Sequence, residues 1–306
     1  MSKLPLKYSQ NFLTSQTLVK RIVSLADIAA GATILEIGPG KGIITTELVA
    51  QVGRDGRVIA VELDKQLAAG LRHQFRSQPQ VNIKKQDILN LDLATLGRPY
   101  QVFSNIPFNI TSLLLEHLFN PQTGPTSAHL ILQTAALTET NRAGYQVHTF
   151  KSLLLQPLYS VGSVHQFARS DFSPRPGVDT ALFRFEQREE PLIPAAQYEL
   201  YKDFLAFVSK DRVGEGVWLK LFSKKQIKVI NGRTDIVLNR GIKSQSLEAI
   251  VGAFKSFTAV AADKRPLIQD AMQTLRAEQA RKDQINRRRG HHRSRRNASS
   301  SRKRPQ

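Results

Sequence analysis

The chain of 306 residues contains no cysteine. It can therefore form neither disulfides nor thiolate metal sites, and its chemistry cannot use a thiol. The adjacent His291 and His292 have no third ligand within reach, so no metal site is predicted. No apolar run reaches the roughly 18 residues of a membrane span. The first residues also lack the apolar core of a signal peptide. We therefore expect a cytoplasmic protein with no membrane partner.

Acidic residues are scarce relative to basic ones. The 44 Lys and Arg outnumber the 25 Asp and Glu, which gives a net charge of +19. This excess predicts a polyanionic partner. Eleven of the basic residues lie in 281–306, including the run Arg287, Arg288 and Arg289. Such a segment cannot bury a core, so we expect a disordered tail that binds phosphates; a purely solubilising tail is the alternative.

One stretch, 32–42, organises the rest of the chain. The short apolar run 33–37 predicts a buried strand, and the residues from Gly42 onward predict a helix. Between them, Gly38, Gly40 and Gly42 leave backbone N–H groups uncovered at the positive end of that helix. The pattern predicts a nucleotide-type cradle; a tight turn without a ligand is the alternative.

The spacing of these glycines narrows the choice of ligand. It differs from the dinucleotide fingerprint, and Lys41 is followed by Gly42 rather than by the hydroxyl residue of a phosphate loop. Glu36 stands two positions before the first glycine. The pattern E-x-G-x-G-x-G after a strand resembles motif I of the S-adenosylmethionine-dependent methyltransferases. A carboxylate at Glu36 suits the cationic amino-acid end of that cofactor.

Two further predicted strands lead into carboxylates. Glu62 lies roughly 20 positions beyond Gly40, a spacing that can bring its carboxylate to the ribose hydroxyls of a nucleoside. Asp87 and Ile88 follow the next strand, where they can meet the exocyclic amine and the ring edge of an adenine. Capping of a helix or loop is the alternative, and Asp64 suits a helix cap better than Glu62 does.

A fourth predicted strand runs into Asn105, Ile106, Pro107 and Phe108. An adenine amine is a poor nucleophile because its lone pair is delocalised into the ring. Hydrogen bonds from the amine to the Asn105 side-chain oxygen and to the carbonyl of Ile106 or Pro107 favour a localised lone pair. Proline stiffens this loop and Phe108 offers a face for stacking. A proline turn without a function is the alternative.

Strands alternate with helices up to about residue 187, which predicts a doubly wound α/β domain. Helices are predicted over 134–144 and 149–159. An antiparallel hairpin of 161–168 and 180–186 is predicted to close a mostly parallel sheet. The remainder is predicted to be helical, with Trp218 in its core. The expected divisions are a methyltransferase domain over 1–187, a helical RNA-binding domain over 188–280 and a disordered tail over 281–306.

In their order along the chain, these motifs and the segment Ser9-Gln10-Asn11-Phe12-Leu13 resemble the ribosomal RNA adenine N6-methyltransferases. Within them, the chain most resembles the Erm proteins, the macrolide-lincosamide-streptogramin B resistance methyltransferases. The resemblance implies a Rossmann-like class I fold and S-adenosylmethionine as the cofactor. It also implies the cofactor contacts, which are Gln10 and Asn11 at the methionine end, Glu36, Gly38 and Gly40 in the cradle, Glu62 at the ribose, Asp87 and Ile88 at the adenine, and Asn105.

The resemblance further implies that Asn105 and Phe108 hold a flipped target adenine in the peptidyl-transferase region of 23S rRNA, as protein-free RNA or in a precursor particle. A sister class, which dimethylates two adjacent adenines of 16S rRNA, shares the motifs. Ser9 and Ile106 favour the resistance enzymes, because the sister class tends to carry Gly and Leu there. A noncatalytic RNA-binding protein is a further alternative, which the intact motifs disfavour. Many relatives have Tyr where this chain has Phe108.

Three basic residues outside the tail are candidate RNA contacts, with ordinary solvated charges as the alternative: Lys151, Arg169 and Arg175. Nothing in the sequence requires more than a monomer.

Overall fold

The computed structural model describes residues 11–140, 146–210, 216–234, 236–237 and 241–282. These residues form two compact units, which divide between Ala195 and Ala196. None of the helices described in these ranges is long and apolar enough to cross a membrane.

The described part of the first unit contains both strands and helices. The strands are β1 (Phe12–Leu13), β2 (Thr33–Ile37), β3 (Arg57–Glu62), β4 (Val81–Lys85), β5 (Gln101–Asn105), β6 (Ser127–Gln133), β7 (Thr138–Thr140), β8 (Gln146–His148), β9 (Tyr159–Phe167), β10 (Phe172–Ser173) and β11 (Thr180–Gln187). The α-helices are α1 (Gln16–Ser24), α2 (Ile43–Val52), α3 (Lys65–Gln74), α4 (Thr111–Leu118) and α5 (Phe150–Leu155).

Seven strands form the main sheet in the order β4-β3-β2-β5-β6-β11-β9. The first five are parallel, and β11 runs antiparallel between β6 and β9. The predicted mostly parallel sheet closed by an antiparallel hairpin is therefore confirmed. The chain order reverses between β2 and β5, and ligands of doubly wound sheets bind at the carboxyl ends of the strands beside such a switch point.

Local sequence explains why these elements form where they do. The apolar side chains Ile34, Leu35 and Ile37 of β2 are buried, as expected of a central strand covered on both faces. The helix that follows β3 is capped as predicted: an Asp64 oxygen accepts hydrogen bonds from the amides of Gln66 and Leu67, at 2.8 and 3.0 Å.

The predicted helix over 134–144 is wrong. Thr134–Ala136 forms a single 3-10 turn, and then β7 and β8 pair antiparallel, with Thr138 opposite His148. Residues 141–145 lie outside the described ranges. Threonine loses rotamer freedom in a helix and packs well on a pleated strand, so the two threonines of β7 favour the observed structure.

The predicted helix over 149–159 is shorter than expected. It begins after Thr149, whose hydroxyl oxygen accepts a hydrogen bond from the Ser152 amide at 3.0 Å, and it ends at Leu155. Pro157 follows, and proline has no amide hydrogen to continue the helical ladder. Tyr159 then begins β9.

The described part of the second unit is helical. Its α-helices are α6 (Tyr198–Val208), α7 (Gly216–Leu221), α8 (Lys224–Thr234), α9 (Leu247–Val260) and α10 (Arg265–Ile268), and residues 271–282 are also helical. Its core is aromatic: Phe204 lies 5.5 Å from both Phe254 and Phe257 between ring centroids, and 6.2 Å from the buried Trp218. The tryptophan is a core residue, as predicted.

One buried histidine makes the stability of the first unit depend on pH. His129 on β6 is 3% exposed, its ring stacks on Phe103, and its Nε2 has no hydrogen-bond partner within the described residues. Burial, together with the positive charge of its cross-strand neighbour Arg184, lowers its pKa to about 4. An unfolded chain therefore binds a proton as pH falls through about 6.5, whereas the folded chain does not.

We predict that this difference removes about 2 kcal/mol of unfolding free energy between pH 7 and pH 5. Urea denaturation of the wild type and of His129→Phe at both pH values measures it. Other groups, Glu36 among them, titrate over the same interval in both proteins, so the difference between the proteins isolates the contribution of the ring. On going from pH 7 to pH 5, the unfolding free energy of the variant is expected to change more favourably than that of the wild type, by about 2 kcal/mol. Equal changes in both proteins would contradict the assignment.

Candidate active site

The glycine turn after β2 has a backbone that other residues do not readily adopt. Gly38, Gly40 and Gly42 have φ angles of 64°, 58° and 81°, in the left-handed region that favours glycine. A Cβ atom added to Gly40 would lie 2.6 Å from Cε1 of Phe12, and one added to Gly42 would lie 2.9 Å from a Leu71 methyl carbon. Any side chain at position 40 or 42 would therefore clash with its neighbours, which explains the glycines at this turn. That the turn holds a ligand remains a prediction.

Glu36 is buried next to this turn and has no hydrogen-bond partner among the described residues. It is 1% exposed, and neither carboxyl oxygen makes a hydrogen bond within the described residues. Burial raises the pKa of this carboxyl to about 8. The nearby polar groups of Thr45 lower the pKa, although they lie outside hydrogen-bond geometry, and the Glu62 carboxylate raises it. A buried carboxyl without a partner is costly unless a ligand supplies a donor or a positive charge. The cationic amino-acid end of S-adenosylmethionine fits this need.

Glu62 is a second buried carboxylate, and it holds the turn in place. Its Oε2 accepts a hydrogen bond from the Gly40 amide at 3.1 Å, and its Oε1 accepts one from the Asp64 amide at 2.9 Å. Each carboxylate oxygen has a second lone pair, so the predicted contact with ribose hydroxyls is compatible with these bonds. That contact remains a prediction.

Asp87 lies beyond the end of β4, which neighbours β3 in the sheet. Its Oδ1 accepts a hydrogen bond from the Leu89 amide at 3.0 Å and so caps the 3-10 helix Ile88–Asn90. The capping role considered from the sequence is therefore present. Ile88 is mostly buried. The predicted contacts of these residues with an adenine remain predictions.

The loop after β5 offers acceptors in a defined orientation. The Nδ2 of Asn105 donates a hydrogen bond to the Asn11 carbonyl at 2.7 Å. Because only the amino end of an amide can donate, this bond leaves Oδ1 as the acceptor end, and Oδ1 accepts no hydrogen bond from the part of the chain that the structure describes. The Pro107 carbonyl accepts from the Ile110 amide at 3.1 Å, whereas the Ile106 carbonyl accepts no hydrogen bond within the described residues. Of the two predicted carbonyls, the one of Ile106 is therefore available.

The cradle and this loop are neighbours across the switch point. The Ser104 hydroxyl donates to the Ile37 carbonyl and accepts from the Ile37 amide at 3.3 Å, which ties the end of β5 to the end of β2. Pro107 ring carbons lie 3.8 Å from the position of a Cβ on Gly38. Phe108 is half-buried on the same loop. Strand pairing thus places the glycine turn, the predicted cofactor cradle, beside the loop that is predicted to bind the target amine.

The basic residues proposed to contact RNA differ in their surroundings. Arg169 forms an exposed ion pair with Asp179 at 3.0 Å, and Arg175 is exposed. Lys151 on α5 is half-buried, and burial lowers its pKa. Four predicted site residues lie outside the described ranges: Gln10, Arg287, Arg288 and Arg289. Within the described ranges, no group of three or more His, Asp or Glu side chains could hold a metal ion.

Two contacts of the amino-terminal segment were not predicted. Asn11 meets Asn105 through its backbone carbonyl, and the Phe12 ring lies against Gly40. Lys41 Nζ also lies 5.9 Å from the centroid of that ring. Sequence periodicity and motifs do not predict either contact, because each depends on how the two-residue strand β1 pairs with the distant strand β10.

Comparisons with known proteins place this geometry in context. A family model described as "Ribosomal RNA adenine dimethylase" matches residues 1–259. A relative from Leptothrix cholodnii named "Ribosomal RNA small subunit methyltransferase A" is 33% identical over 218 residues, which are 69% of this chain and 78% of the relative. A protein of the same name from Acaryochloris marina is 34% identical over 194 residues, 60% of this chain and 71% of its own length.

Two solved structures share the fold. The structure of the 23S rRNA methyltransferase ErmE superposes with a TM-score of 0.69 at 23% identity, covering 81% of this chain and 100% of that one. A dimethyladenosine transferase from Plasmodium falciparum gives 0.63 at 15% identity, covering 83% and 98%. At these identities the likeness establishes the fold alone.

The buried Glu36 carboxyl predicts that cofactor binding releases a proton. With a pKa of about 8, the carboxyl is mostly protonated at pH 6.5, and pairing with a ligand cation favours its ionised form. We expect S-adenosylmethionine to bind the wild type up to about tenfold more weakly for each pH unit below 8. Glu36→Gln is expected to lose this pH dependence of cofactor affinity, because glutamine does not titrate.

Calorimetry in buffers of different ionisation enthalpy counts the released protons. Both proteins are titrated with the same cofactor, so the cofactor's own amino group contributes equally to each. Proton release near one per site at pH 6.5 in the wild type, and less in Glu36→Gln, is the expected result. Identical proton counts would show that Glu36 does not meet the cation.

Proposed function

Because the chain belongs to the ribosomal RNA adenine dimethylase family, we propose that it transfers one or two methyl groups from S-adenosylmethionine to N6 of one adenine in the peptidyl-transferase region of 23S rRNA. The added methyls would obstruct macrolide binding and confer macrolide-lincosamide-streptogramin B resistance. The observation that carries the chemistry is the Asn105 amide, whose donor end is bonded to Asn11 and whose oxygen accepts no hydrogen bond from the described residues.

In this mechanism, the target adenine is extruded from the RNA and stacks on Phe108. Its amine donates one hydrogen to Asn105 Oδ1 and the other to the Ile106 carbonyl. These two bonds would favour a localised lone pair on N6 that points away from the two acceptors. S-adenosylmethionine supplies a methyl group bonded to a cationic sulfur. N6 sheds its extra proton after methylation, so a general base is not obligatory.

The second unit supports an RNA substrate. Helix α8 carries exposed basic side chains and no acidic residue: Lys224, Lys225, Lys228 and Arg233. Two of these lysines lie in the first turn, where the helix dipole disfavours positive charge. Phosphates bound at this face would offset that cost. We propose that the helical domain and the basic tail bind phosphates of the RNA.

The choice between the two ribosomal RNAs rests on different observations. Ser9 and Ile106 resemble the Erm proteins and support 23S rRNA. The second candidate is dimethylation of 16S rRNA during small-subunit assembly. It is favoured by the names of the two curated relatives, which refer to the small subunit.

Methyl transfer from labelled S-adenosylmethionine tests both candidates. Protein-free 23S rRNA and immature small subunits are assayed separately, and modified positions are mapped by reverse-transcription stops. A single stop in the peptidyl-transferase loop is expected. Stops at two adjacent adenines of 16S rRNA would establish the second candidate. Binding of the cofactor with no labelling of either RNA would overturn the proposed substrate class.

Asn105→Ala tests the chemical step. Removal of the amide oxygen is expected to lower kcat by at least about 10²-fold, by analogy with the loss of one preorganised hydrogen-bonding group from an active site. Cofactor affinity is expected to change less than kcat, because Asn105 is only one of several cofactor contacts that the resemblance implies. Asn109→Ala is the matched control, because Asn109 is an exposed asparagine on the same loop. Wild-type rates for Asn105→Ala at saturating RNA would refute the assigned role.

Removal of residues 281–306 tests the tail. Loss of eleven Lys and Arg residues is expected to weaken RNA binding and to reduce the slope of log affinity against log salt concentration, because fewer counterions are released. Filter binding at low and high salt concentrations measures both. A tail of scrambled sequence is expected to bind as the wild type does. An unchanged slope after deletion would exclude a phosphate-binding arm.

A further inference from the structure

The amino-terminal strand forms a clasp with a distant segment of the first unit. We use this name for the antiparallel pair of β1 (Phe12–Leu13) and β10 (Phe172–Ser173). The Thr14 amide extends the pairing by donating to the Asp171 carbonyl at 3.1 Å. Leu13 and Phe172 are buried. Their burial anchors the clasp to the core.

The clasp reaches the active site at two adjacent residues. The Asn11 carbonyl accepts the hydrogen bond from Asn105 Nδ2 at 2.7 Å. The ring of Phe12 occupies the space that a side chain on Gly40 would fill, since its Cε1 lies 2.6 Å from where a Cβ of residue 40 would stand. One short stretch therefore contacts both the residue proposed to hold the target amine and the turn proposed to hold the cofactor.

We propose that Phe12 is a positioning residue that fixes the orientation of the Asn105 amide, an inference that rests on the proposed function. The amide of an asparagine has two ends of similar shape, and only the oxygen end can accept hydrogens from an adenine amine. Rotation by 180° would point N–H groups at N–H groups. The Asn11 carbonyl prevents this rotation, provided that the backbone at residue 11 is held in place.

Phe12 holds that backbone. Leu13 is buried in the core, whereas the Phe12 ring is half-buried and packs against the glycine turn, with Lys41 Nζ 5.9 Å from its centroid. Removing the ring frees the peptide before it to move away from Asn105. A displacement of about 1 Å at a catalytic group can cost about 10²-fold in rate. The ring thus acts on the reaction through Asn105.

The test uses Phe12→Ala, Phe12→Leu, which keeps an apolar side chain if the alanine variant does not fold, and Phe12→Tyr as the conservative rescue. Phe207→Ala is the matched control, because Phe207 is also half-buried with a lysine nitrogen 6.0 Å from its ring centroid, on α6 of the other unit. NMR of asparagine-labelled protein reports the Asn105 side-chain amide directly. Asn105→Ala identifies that resonance.

In the wild type and in Phe207→Ala, the Asn105 amide protons are expected to be protected from exchange and shifted by the hydrogen bond. In Phe12→Ala and Phe12→Leu, protection is expected to be lost and kcat to fall about 10- to 100-fold, with a smaller change in KM for RNA. Phe12→Tyr is expected to restore both. An unchanged amide resonance in the folded alanine or leucine variant would overturn the proposal, whatever the rate.

The two readouts separate this proposal from the proposed function. A lower kcat with an intact Asn105 hydrogen bond would mean that Phe12 acts on the cofactor turn instead, which overturns the positioning role. If the wild type methylates neither ribosomal RNA, the proposed function fails. The NMR comparison still decides whether Phe12 orients Asn105.

Discussion

The hydrogen bond from the Gly40 amide to the buried Glu62 carboxylate joins the turn after β2 to the end of β3. Two further contacts of the site connect to it. Because residue 40 has no Cβ, the Phe12 ring can lie against the backbone that this bond holds. The ring in turn lies next to the peptide that binds Asn105. A carboxylate on one strand is thus linked, through three contacts, to an amide on another.

Burying a carboxylate charge at the ends of β2 and β3 costs free energy, and the chain limits this cost in two different ways. Glu62 satisfies both oxygens with backbone amides. Glu36, beside it, has no partner within the described residues and keeps its proton more strongly than an ordinary glutamate does, because burial raises its pKa. The first arrangement stabilises the unliganded turn, whereas the second leaves a buried carboxyl without a donor among the described residues. The two neighbouring carboxyl groups therefore differ in how far the described residues satisfy them.

The sequence predicted those parts of the fold that local patterns encode. The strand over 33–37, the cap at Asp64 and the antiparallel closure of the sheet all follow from periodicity or from capping chemistry. The helix over 134–144 was wrong because the preferences of threonine for a pleated strand outweighed a weak helical pattern. The contact of Asn11 with Asn105 had no signal in the sequence, since a backbone carbonyl is common to every residue. Glu62 and Asp87 form hydrogen bonds with backbone amides. Their predicted contacts with a ligand are not visible in these bonds.

The clasp has a consequence for how the protein becomes active during its synthesis. Thr14 and Asp171 are separated by 157 positions, so the amino-terminal strand finds its partner only after nearly the whole first unit has left the ribosome. Every motif residue of the cradle and of the Asn105 loop is made earlier. A nascent chain that ends before β10 therefore contains all of the recognisable motifs. It cannot yet form the strand pair that anchors β1, so the peptide at Asn11 is not yet held in place beside Asn105.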